Sequence, residues 1–192
     1  MTGITGLILA GGQGRRMGTV DKGLQALRGK PMIEWVLERL RPQVSDILIN
    51  ANQNIESYEA FGHAVVADRI GGFAGPLAGL HAGLSVAAHP VVVTVPCDSP
   101  FFPLDLVDRL ARARAASNAD LAVAKTFDQP HPVFALVRTA VLPHLTSFLE
   151  SGGRKIDAWY ATLAAIEVPF DDEAAAFSNI NTRDELAAFD KP

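Results

Sequence analysis

The sequence predicts a three-layer α/β/α protein built on a mostly parallel sheet. Short runs of continuous apolar residues, typical of strands buried on both faces, alternate along the chain with longer helix-like segments. The 192 residues are 48% hydrophobic and 20% charged, a composition that supports a full-sized core. No repeat, low-complexity tract or linker divides the chain, so we expect a single Rossmann-like domain over residues 1–192.

The predicted strands are the short apolar runs that end in polar or turn residues. The run VVVTVPCD, Val91–Asp98, is the most strongly β-branched in the chain and is therefore the clearest strand. The other predicted strands are Ile4–Ala10, Asp46–Asn50, Ala64–Asp68, Asp120–Lys125, Pro132–Val137 and Ala164–Phe170.

The predicted helices lie between these strands. The first begins with Pro31, since proline is tolerated in the first turn of a helix, and the last has Thr182 as its N-cap. The predicted helices are Pro31–Leu40, Leu77–Ala88, Leu104–Ala116, Ala140–Glu150, Ile156–Leu163 and Thr182–Phe189.

Composition excludes several classes of function. The net charge of −4, with clustered cations, argues against a general nucleic-acid surface. A single cysteine, Cys97, excludes an internal disulfide framework, and no Cys/His spacing indicates a zinc site. No apolar run approaches the ~20 residues that a membrane span needs, and no signal peptide is evident. We expect a cytoplasmic protein that acts on small molecules.

A glycine-rich, basic segment, LILAGGQGRRMGTVDKGL, follows the first predicted strand. Glycines allow backbone N–H groups to approach a ligand closely, and successive amides of this kind bind phosphate oxygens. The glycines are Gly11, Gly12, Gly14 and Gly18, and the cations are Arg15, Arg16 and Lys22. The alternative is a flexible surface loop with solvated charges, but the packing of three cations among the glycines favours a polyphosphate site.

Two familiar phosphate-binding motifs are absent from this segment. The P-loop needs G-x-x-x-x-G-K-[S/T], and the chain has no such run. The dinucleotide fingerprint G-x-G-x-x-G begins at Gly12, but Met17 stands where its third glycine is needed. A nicotinamide-dependent reductase is therefore disfavoured, also because no acidic residue closes the strand that ends at Asn50.

Polar residues follow four of the predicted strands, at Gly11–Gly12, Asn50, Asp68 and Asp98. Ligands of open α/β sheets bind beyond the carboxyl ends of the strands, so these residues are candidates for the site. Asp98 is a candidate ligand for Mg²⁺, a hard cation that proteins hold with one or two carboxylates plus phosphates. An ordinary Asp-Ser-Pro turn is an equally good interpretation of the same residues. Cys97 has no evident base partner and is expected to be a small buried residue.

These motifs resemble the molybdenum cofactor guanylyltransferases, the MobA family. The first motif is long and specific, and the later ones are persuasive in combination because they follow the family's order along nearly the whole chain. The motifs are LAGGQGRRMGTVDKGL at residues 9–24, GKP at Gly29–Pro31, GPLAG at Gly75–Gly79, PCDSPF at Pro96–Phe101, HP at His131–Pro132 and NINT at Asn179–Thr182.

The resemblance implies a nucleotidyltransferase-like α/β/α fold and the transfer of GMP from GTP to the terminal phosphate of molybdopterin, with Mg²⁺ required and pyrophosphate released. It implies GTP and molybdopterin as substrates and transient contact with proteins that make or accept the cofactor. The implied nucleotide-binding residues are Leu9, Ala10, Gly11, Gly12, Lys22, Asn50, Asp68 and Asp98, the last also the metal ligand. The implied catalytic residues are Lys22, Asp98 and Arg16. Asn179, Asn181 and Arg154 are implied on the molybdopterin side, with Arg16 a further candidate for its phosphate.

Related activities remain as alternatives at this point. Cytidylyltransferases that act on the same cofactor typically have LAAG where this chain has LAGG, and they lack the DKGL element at Asp21–Leu24. Gly11 lacks the methyl group that alanine has at this position of LAAG. The missing methyl group leaves room for a larger base, which favours a purine and hence GTP. Sugar-1-phosphate nucleotidyltransferases share the glycine-rich opening but are generally longer. A non-catalytic nucleotide-binding module would have little use for Asp98. From the residues alone, a turn before the helix at Thr182 is the favoured interpretation of Asn179 and Asn181. His131, between two prolines, is expected to be structural.

Overall fold

A seven-stranded, mostly parallel sheet forms the centre of the molecule, which confirms the predicted fold class. The computed structural model describes residues 3–11, 21–71, 75–180 and 185. The sheet order is β5-β4-β1-β6-β8-β7-β9, and β2 and β3 form a separate small hairpin. The strands are β1 Thr5–Leu9, β2 Ala26–Leu27, β3 Lys30–Pro31, β4 Asp46–Asn50, β5 Ala64–Val66, β6 Val91–Pro96, β7 Leu121–Thr126, β8 Gln129–Arg138 and β9 Ala165–Pro169.

Helices cover both faces of this sheet. The α-helices are α1 Met32–Leu40, α2 Ile55–Glu59, α3 Pro76–Val86, α4 Leu106–Ser117, α5 Leu142–Glu150 and α6 Ile156–Tyr160. Short 3₁₀ helices occur at Arg41–Gln43, Thr139–Val141 and Asp171–Phe177. None of the helices in the described ranges is both long enough and apolar enough to cross a membrane.

Alternating strand residues point into two separate apolar cores, as the two-residue period of a strand requires. In β1, Ile8 packs with α1 and α4, whereas Leu7 packs with α3 and α5. The same division holds in β6, where Val93 faces the first core and Val92 the second. All four of these side chains are fully buried. Burial on both faces explains why the strands have continuous apolar runs rather than alternating ones.

The direction of one strand decides which residues reach the carboxyl edge of the sheet. β1 pairs in parallel with both β4 and β6, and β4 pairs in parallel with β5. In contrast, β8 runs antiparallel to β6, with Val91 opposite Arg138. β8 therefore begins near the edge where β6 ends.

Most predicted elements are confirmed within a few residues, but two short ones were not predicted. The helix α2 and residues 26–30 of the β2–β3 hairpin lie in segments that the sequence analysis left without structure. Pro31, predicted to begin the first helix, ends β3 instead, and α1 begins at Met32. The strand predicted at Pro132–Val137 is longer, since β8 begins at Gln129. The predicted closing helix Thr182–Phe189 falls outside the described residues, apart from Glu185.

Candidate active site

The carboxyl ends of four parallel strands bring the predicted site residues to one edge of the sheet. Leu9, the last residue of β1, lies opposite Asn50 in β4 and opposite Pro96 in β6. Asn50 in turn lies opposite Val66 in β5. The residues that follow these strands, among them Gly11, therefore share one surface, as a ligand site of an open α/β sheet requires.

Lys22 and Asp98 form a salt bridge at this edge. The Nζ of Lys22 lies 2.9 Å from Oδ2 of Asp98, and the side chains are 22% and 13% exposed, respectively. The two residues are separated by 76 positions in the sequence. Lys22 and the acid after β6 are therefore neighbours in space, and their common role in one site stays a prediction.

The segment that carries Lys22 is fixed by backbone hydrogen bonds. The N–H of Gln25 donates to the carbonyl of Lys22 at 3.1 Å. The N–H of Ile33, in the first turn of α1, donates to the carbonyl of Gly23 at 2.9 Å. The β2–β3 hairpin follows directly and joins this segment to α1. Lys22 therefore lies on ordered backbone and not on a loose loop.

Asn50 and Asp68 are joined in a network that also contains Asn52. The Nδ2 of Asn50 donates to Oδ1 of Asp68 at 2.9 Å and to the carbonyl of Val66 at 3.1 Å. The Nδ2 of Asn52 donates to Oδ2 of Asp68 at 2.9 Å, and its Oδ1 accepts from the Asp68 N–H at 2.8 Å. Asn50 is 3% exposed. Its side chain therefore lies behind the surface and holds Asp68, which stands further out.

Two glycines allow the backbone to approach Asn50. A Cβ on Gly79, in α3, would lie 2.3 Å from Oδ1 of Asn50 and 2.7 Å from Cδ2 of Leu9. A Cβ on Gly11 would lie 2.8 Å from Nδ2 of Asn52 and 3.0 Å from Oδ1 of Asn50. A methyl group at Gly11 would thus point at two side-chain amides. Packing against Asn50 and Asn52 therefore explains why glycine is needed here, apart from any room it leaves for a purine base.

We expect Gly79→Ala to weaken nucleotide binding and to lower the Tm. The added methyl group displaces Asn50 or Leu9, and overpacking of this kind costs about 1–3 kcal/mol, against a gain of ~1 kcal/mol from alanine's helix propensity. Calorimetric titration with GTP and a thermal melt measure the two effects. Gly71→Ala is the control, because no atom of the described residues lies within 4 Å of its added Cβ. Equal behaviour of the two variants would contradict the packing role of Gly79.

Asn179 lies beside Asp98. The N–H of Ile180 donates to the carbonyl of Asp98 at 2.8 Å. The hydroxyl of Ser99, which is fully buried, donates to Oδ1 of Asn179. The side chain of Asn179 is thereby oriented at the edge of the site, next to the residue predicted to hold the metal.

Arg154 follows α5 and contacts the last turn of that helix. Burial lowers the pKa of His81 in α3, Arg69 lowers it further and Glu150 raises it. The Nε2 of His81 lies 3.0 Å from Oγ1 of Thr146, so α3 and α5 are in contact here. The guanidinium of Arg154 donates to the carbonyl of Leu149 at 2.8 Å and caps the helix.

The chemistry of Asp98 fits a divalent cation that is shared with a nucleotide. Within the described part of the chain, no group of three or more His, Cys, Asp and Glu side chains could enclose a metal ion. Mg²⁺ is usually held by one or two carboxylates together with phosphate oxygens and water, not by an all-protein cage. A single, partly exposed carboxylate at the strand end meets that requirement.

Cys97 and His131 have structural roles, as the sequence analysis expected. Cys97 is buried, and burial raises the pKa of its thiol well above the usual range, so it is not an activated nucleophile. His131 stacks on Phe177 at a ring distance of 4.7 Å, and its Nε2 lies 2.7 Å from Oγ1 of Thr126. The stacked ring supports the segment that leads to Asn179.

Three of the predicted site residues, Gly12, Arg16 and Asn181, lie outside the described residues. Sequence reasoning also missed two residues that contact the site, Asn52 and Tyr58. Asn52 could have been found as a second amide two positions after the end of β4. Tyr58 had no comparable signal, because α2 has only five residues, too few to show a helical period.

Comparisons with known proteins agree with this geometry. A family model described as "MobA-like NTP transferase domain" matches residues 6–165. The chain is 55% identical over 188 residues to the molybdenum cofactor guanylyltransferase of Cupriavidus necator, with 95% of this chain and 94% of that protein covered. It is 54% identical over 189 residues to the protein of the same name from Bordetella petrii, with 96% of each covered.

Solved structures give the same result for the fold. The molybdopterin-guanine dinucleotide biosynthesis protein A of Archaeoglobus fulgidus superposes with a TM-score of 0.79 at 27% identity, covering 97% of this chain and 96% of that one. The 2-C-methyl-D-erythritol 4-phosphate cytidylyltransferase of Thermus thermophilus superposes with a TM-score of 0.70 at 17% identity, covering 96% of each chain. The second likeness concerns the fold alone.

Proposed function

The chain belongs to the MobA-like NTP transferase family, and from this premise we propose that it transfers GMP from GTP to the terminal phosphate of molybdopterin. The products are the guanine dinucleotide form of the cofactor and pyrophosphate. The single observation that carries the proposal is the Lys22–Asp98 pair at 2.9 Å, because it places a phosphate-binding cation and a metal-binding acid at one strand end. The names of the relatives reported above supply the nucleotide and the acceptor.

In the proposed reaction, a terminal phosphate oxygen of molybdopterin attacks the α-phosphorus of GTP. The bond from that phosphorus to the bridging oxygen of the β-phosphate breaks, and pyrophosphate leaves with the electron pair. The attacking oxygen is already an anion at neutral pH, so the reaction needs no general base. The obstacle is the repulsion between two polyanions, and catalysis consists of positioning and charge neutralisation.

The residues of the site divide this work. Lys22 binds the triphosphate and stabilises the charge that develops on the departing pyrophosphate, a task that suits the compact charge of an ammonium group. The backbone of Ala10 and Gly11 approaches the nucleotide from the end of β1, with Ala10 fixed by its N–H bond to the Asn50 carbonyl at 2.8 Å. Asp68, held by two amides, presents its carboxylate at the nucleotide side of the same edge.

Asp98 would hold a Mg²⁺ ion together with phosphate oxygens of the nucleotide. An ion held there would supply Lewis acidity and positive charge for the phosphates of the nucleotide. The pairing with Lys22 holds the Asp98 carboxylate in position before the nucleotide binds.

The molybdopterin side is proposed around Asn179 and Arg154, with Asn181 and Arg16 as further contacts. An asparagine amide offers both donors and acceptors, which suits a pterin ring. Asn179 lies next to Asp98, so an acceptor bound there has its terminal phosphate close to the nucleotide. Arg154, just after α5, supplies a cation for the phosphate of the acceptor in this proposal.

Pyrophosphate release tests the proposed function directly. We expect release from GTP only when molybdopterin and Mg²⁺ are both present, and little from CTP or ATP. A faster reaction with CTP would assign the chain to cytidylyl transfer and overturn the guanylyl proposal. Tight GTP binding without pyrophosphate release, measured with the same molybdopterin preparation that supports a known guanylyltransferase, would indicate a non-catalytic nucleotide-binding protein.

A further inference from the structure

We propose that Tyr58 is a positioning residue for Lys22: its hydroxyl holds the carboxylate of Asp21 and so fixes the backbone from which Lys22 reaches the site. This inference rests on the proposed function, in which Lys22 binds the triphosphate. Tyr58 itself is fully buried, and its hydroxyl reaches Asp21 and Gly23, which flank Lys22 in the sequence.

Both carboxylate oxygens of Asp21 are held from one side of the molecule. The Tyr58 hydroxyl, in α2, donates to Oδ1 of Asp21. The Nδ2 of Asn54, the residue that precedes α2, donates to Oδ2 of Asp21 at 3.0 Å. Hydrogen bonds to an ionised acceptor are roughly twice as strong as neutral ones. The two donors, from α2 and the residue before it, therefore fix the position of Asp21, the residue immediately before Lys22.

The backbone on the other side of Lys22 is in contact with the same hydroxyl. A Cβ on Gly23 would lie 2.6 Å from the Tyr58 oxygen, so the hydroxyl rests against the backbone that follows Lys22. The side-chain amide of Gln25 donates to the carbonyl of Asp21 at 3.3 Å. Lys22 is thus flanked by two residues that Tyr58 touches, and its side chain extends from there to Asp98.

The chemistry of Tyr58 suits a permanent donor. Burial raises the pKa of its hydroxyl far above the usual range, and the hydrogen bond to Asp21 and the charge of that carboxylate raise it further. The hydroxyl therefore stays protonated and cannot lose the bond to Asp21 by titration under ordinary conditions.

The alternative is that Tyr58 is only a core residue. It packs on Phe61 at a ring distance of 6.4 Å and belongs to the apolar core of α1 and α4. Tyr58→Phe separates the two roles, because it keeps the ring and removes only the oxygen that contacts Asp21 and Gly23.

The test is a double-mutant cycle between Tyr58→Phe and Lys22→Ala, read as GTP affinity by calorimetry and as kcat/KM for GTP by pyrophosphate release. Tyr58→Phe alone is expected to lower kcat/KM by about 10- to 100-fold, the range typical of a residue that orients a ligand-contacting group. In the Lys22→Ala background, the same change is expected to alter GTP affinity by less than about 2-fold, because the group it positions is gone.

Tyr160→Phe is the matched control. Tyr160 is a buried tyrosine in α6 whose hydroxyl donates to the carbonyl of Pro132 at 2.8 Å, in the other apolar core. We expect this variant to have a lower Tm and unchanged GTP affinity. Asp21→Asn is a second variant for the case in which Tyr58→Phe folds poorly, since it keeps the size of the partner and removes its charge.

Two results would overturn the inference: GTP affinity and kcat/KM of Tyr58→Phe equal to those of the wild type, or an equal loss of GTP affinity with and without Lys22. A failure of the proposed function is distinguishable, because GTP affinity is measured without molybdopterin. If the wild type binds GTP but transfers no GMP, the cycle in GTP affinity still decides whether Tyr58 positions Lys22.

Discussion

Asp98→Ala is expected to abolish turnover and to leave the fold intact. The carboxylate lies at the end of β6, pairs with Lys22 and is the group proposed to hold Mg²⁺ on the nucleotide. Removing a charged contact that acts in the transition state costs ~3–4 kcal/mol, or about 10²–10³ in rate, and the loss of the metal adds to this. Pyrophosphate release at saturating GTP and Mg²⁺ measures the effect.

The control for Asp98→Ala is Asp108→Ala. Asp108 is a solvent-exposed acid on α4 that pairs with Arg112 one turn away, so the same substitution there changes charge without touching the site. A surface pair of this kind contributes about 0–1 kcal/mol, and we expect normal turnover. An Asp98→Ala protein that melts like the wild type and turns over at a near-normal rate in saturating Mg²⁺ would exclude Asp98 as the metal ligand.

Lys22→Ala is expected to lower kcat and GTP affinity together. A cation that binds the triphosphate in the ground state contributes to affinity, and one that stabilises the leaving pyrophosphate contributes to kcat. The substitution also leaves Asp98 without the partner at 2.9 Å. Steady-state kinetics and calorimetry with GTP measure the two effects.

Lys125→Ala is the matched control for Lys22→Ala. Lys125 in β7 also forms a lysine–carboxylate pair, with Glu167 at 2.8 Å, but this pair is on a distant strand of the sheet. We expect unchanged kinetics for the control. If Lys22→Ala also retains both kcat and GTP affinity, the basic loop does not bind the triphosphate.

The meeting of Lys22 and Asp98 could be predicted from the sequence because it follows from topology. Parallel strands place their carboxyl ends at one edge, so a glycine-rich loop after the first strand and an acid after another share a surface whatever the details of packing. The same reasoning placed Asp68 at that edge, where the structure also has it. Long apolar runs fixed the strands themselves, since burial on both faces allows no other composition.

The supporting residues could not be predicted, because their partners are distant in sequence and their residue types are ordinary. Tyr58 reaches Asp21 across 37 positions, from a helix of five residues that has no clear period. Gly11 was interpreted as room for a base, whereas its missing methyl group would meet the amides of Asn52 and Asn50. Such contacts depend on how loops fold over the sheet edge, and a residue pattern does not specify that.

The most direct measurement is a calorimetric titration of GTP into the wild type and Asp98→Ala, each with Mg²⁺ and with EDTA. If Lys22 and Asp98 together bind one Mg²⁺–nucleotide complex, Mg²⁺ increases the GTP affinity of the wild type by about 10-fold or more. The GTP affinity of Asp98→Ala is then the same with Mg²⁺ and with EDTA. Equal strengthening of both proteins by Mg²⁺ would contradict the account, because the ion would then be bound without Asp98.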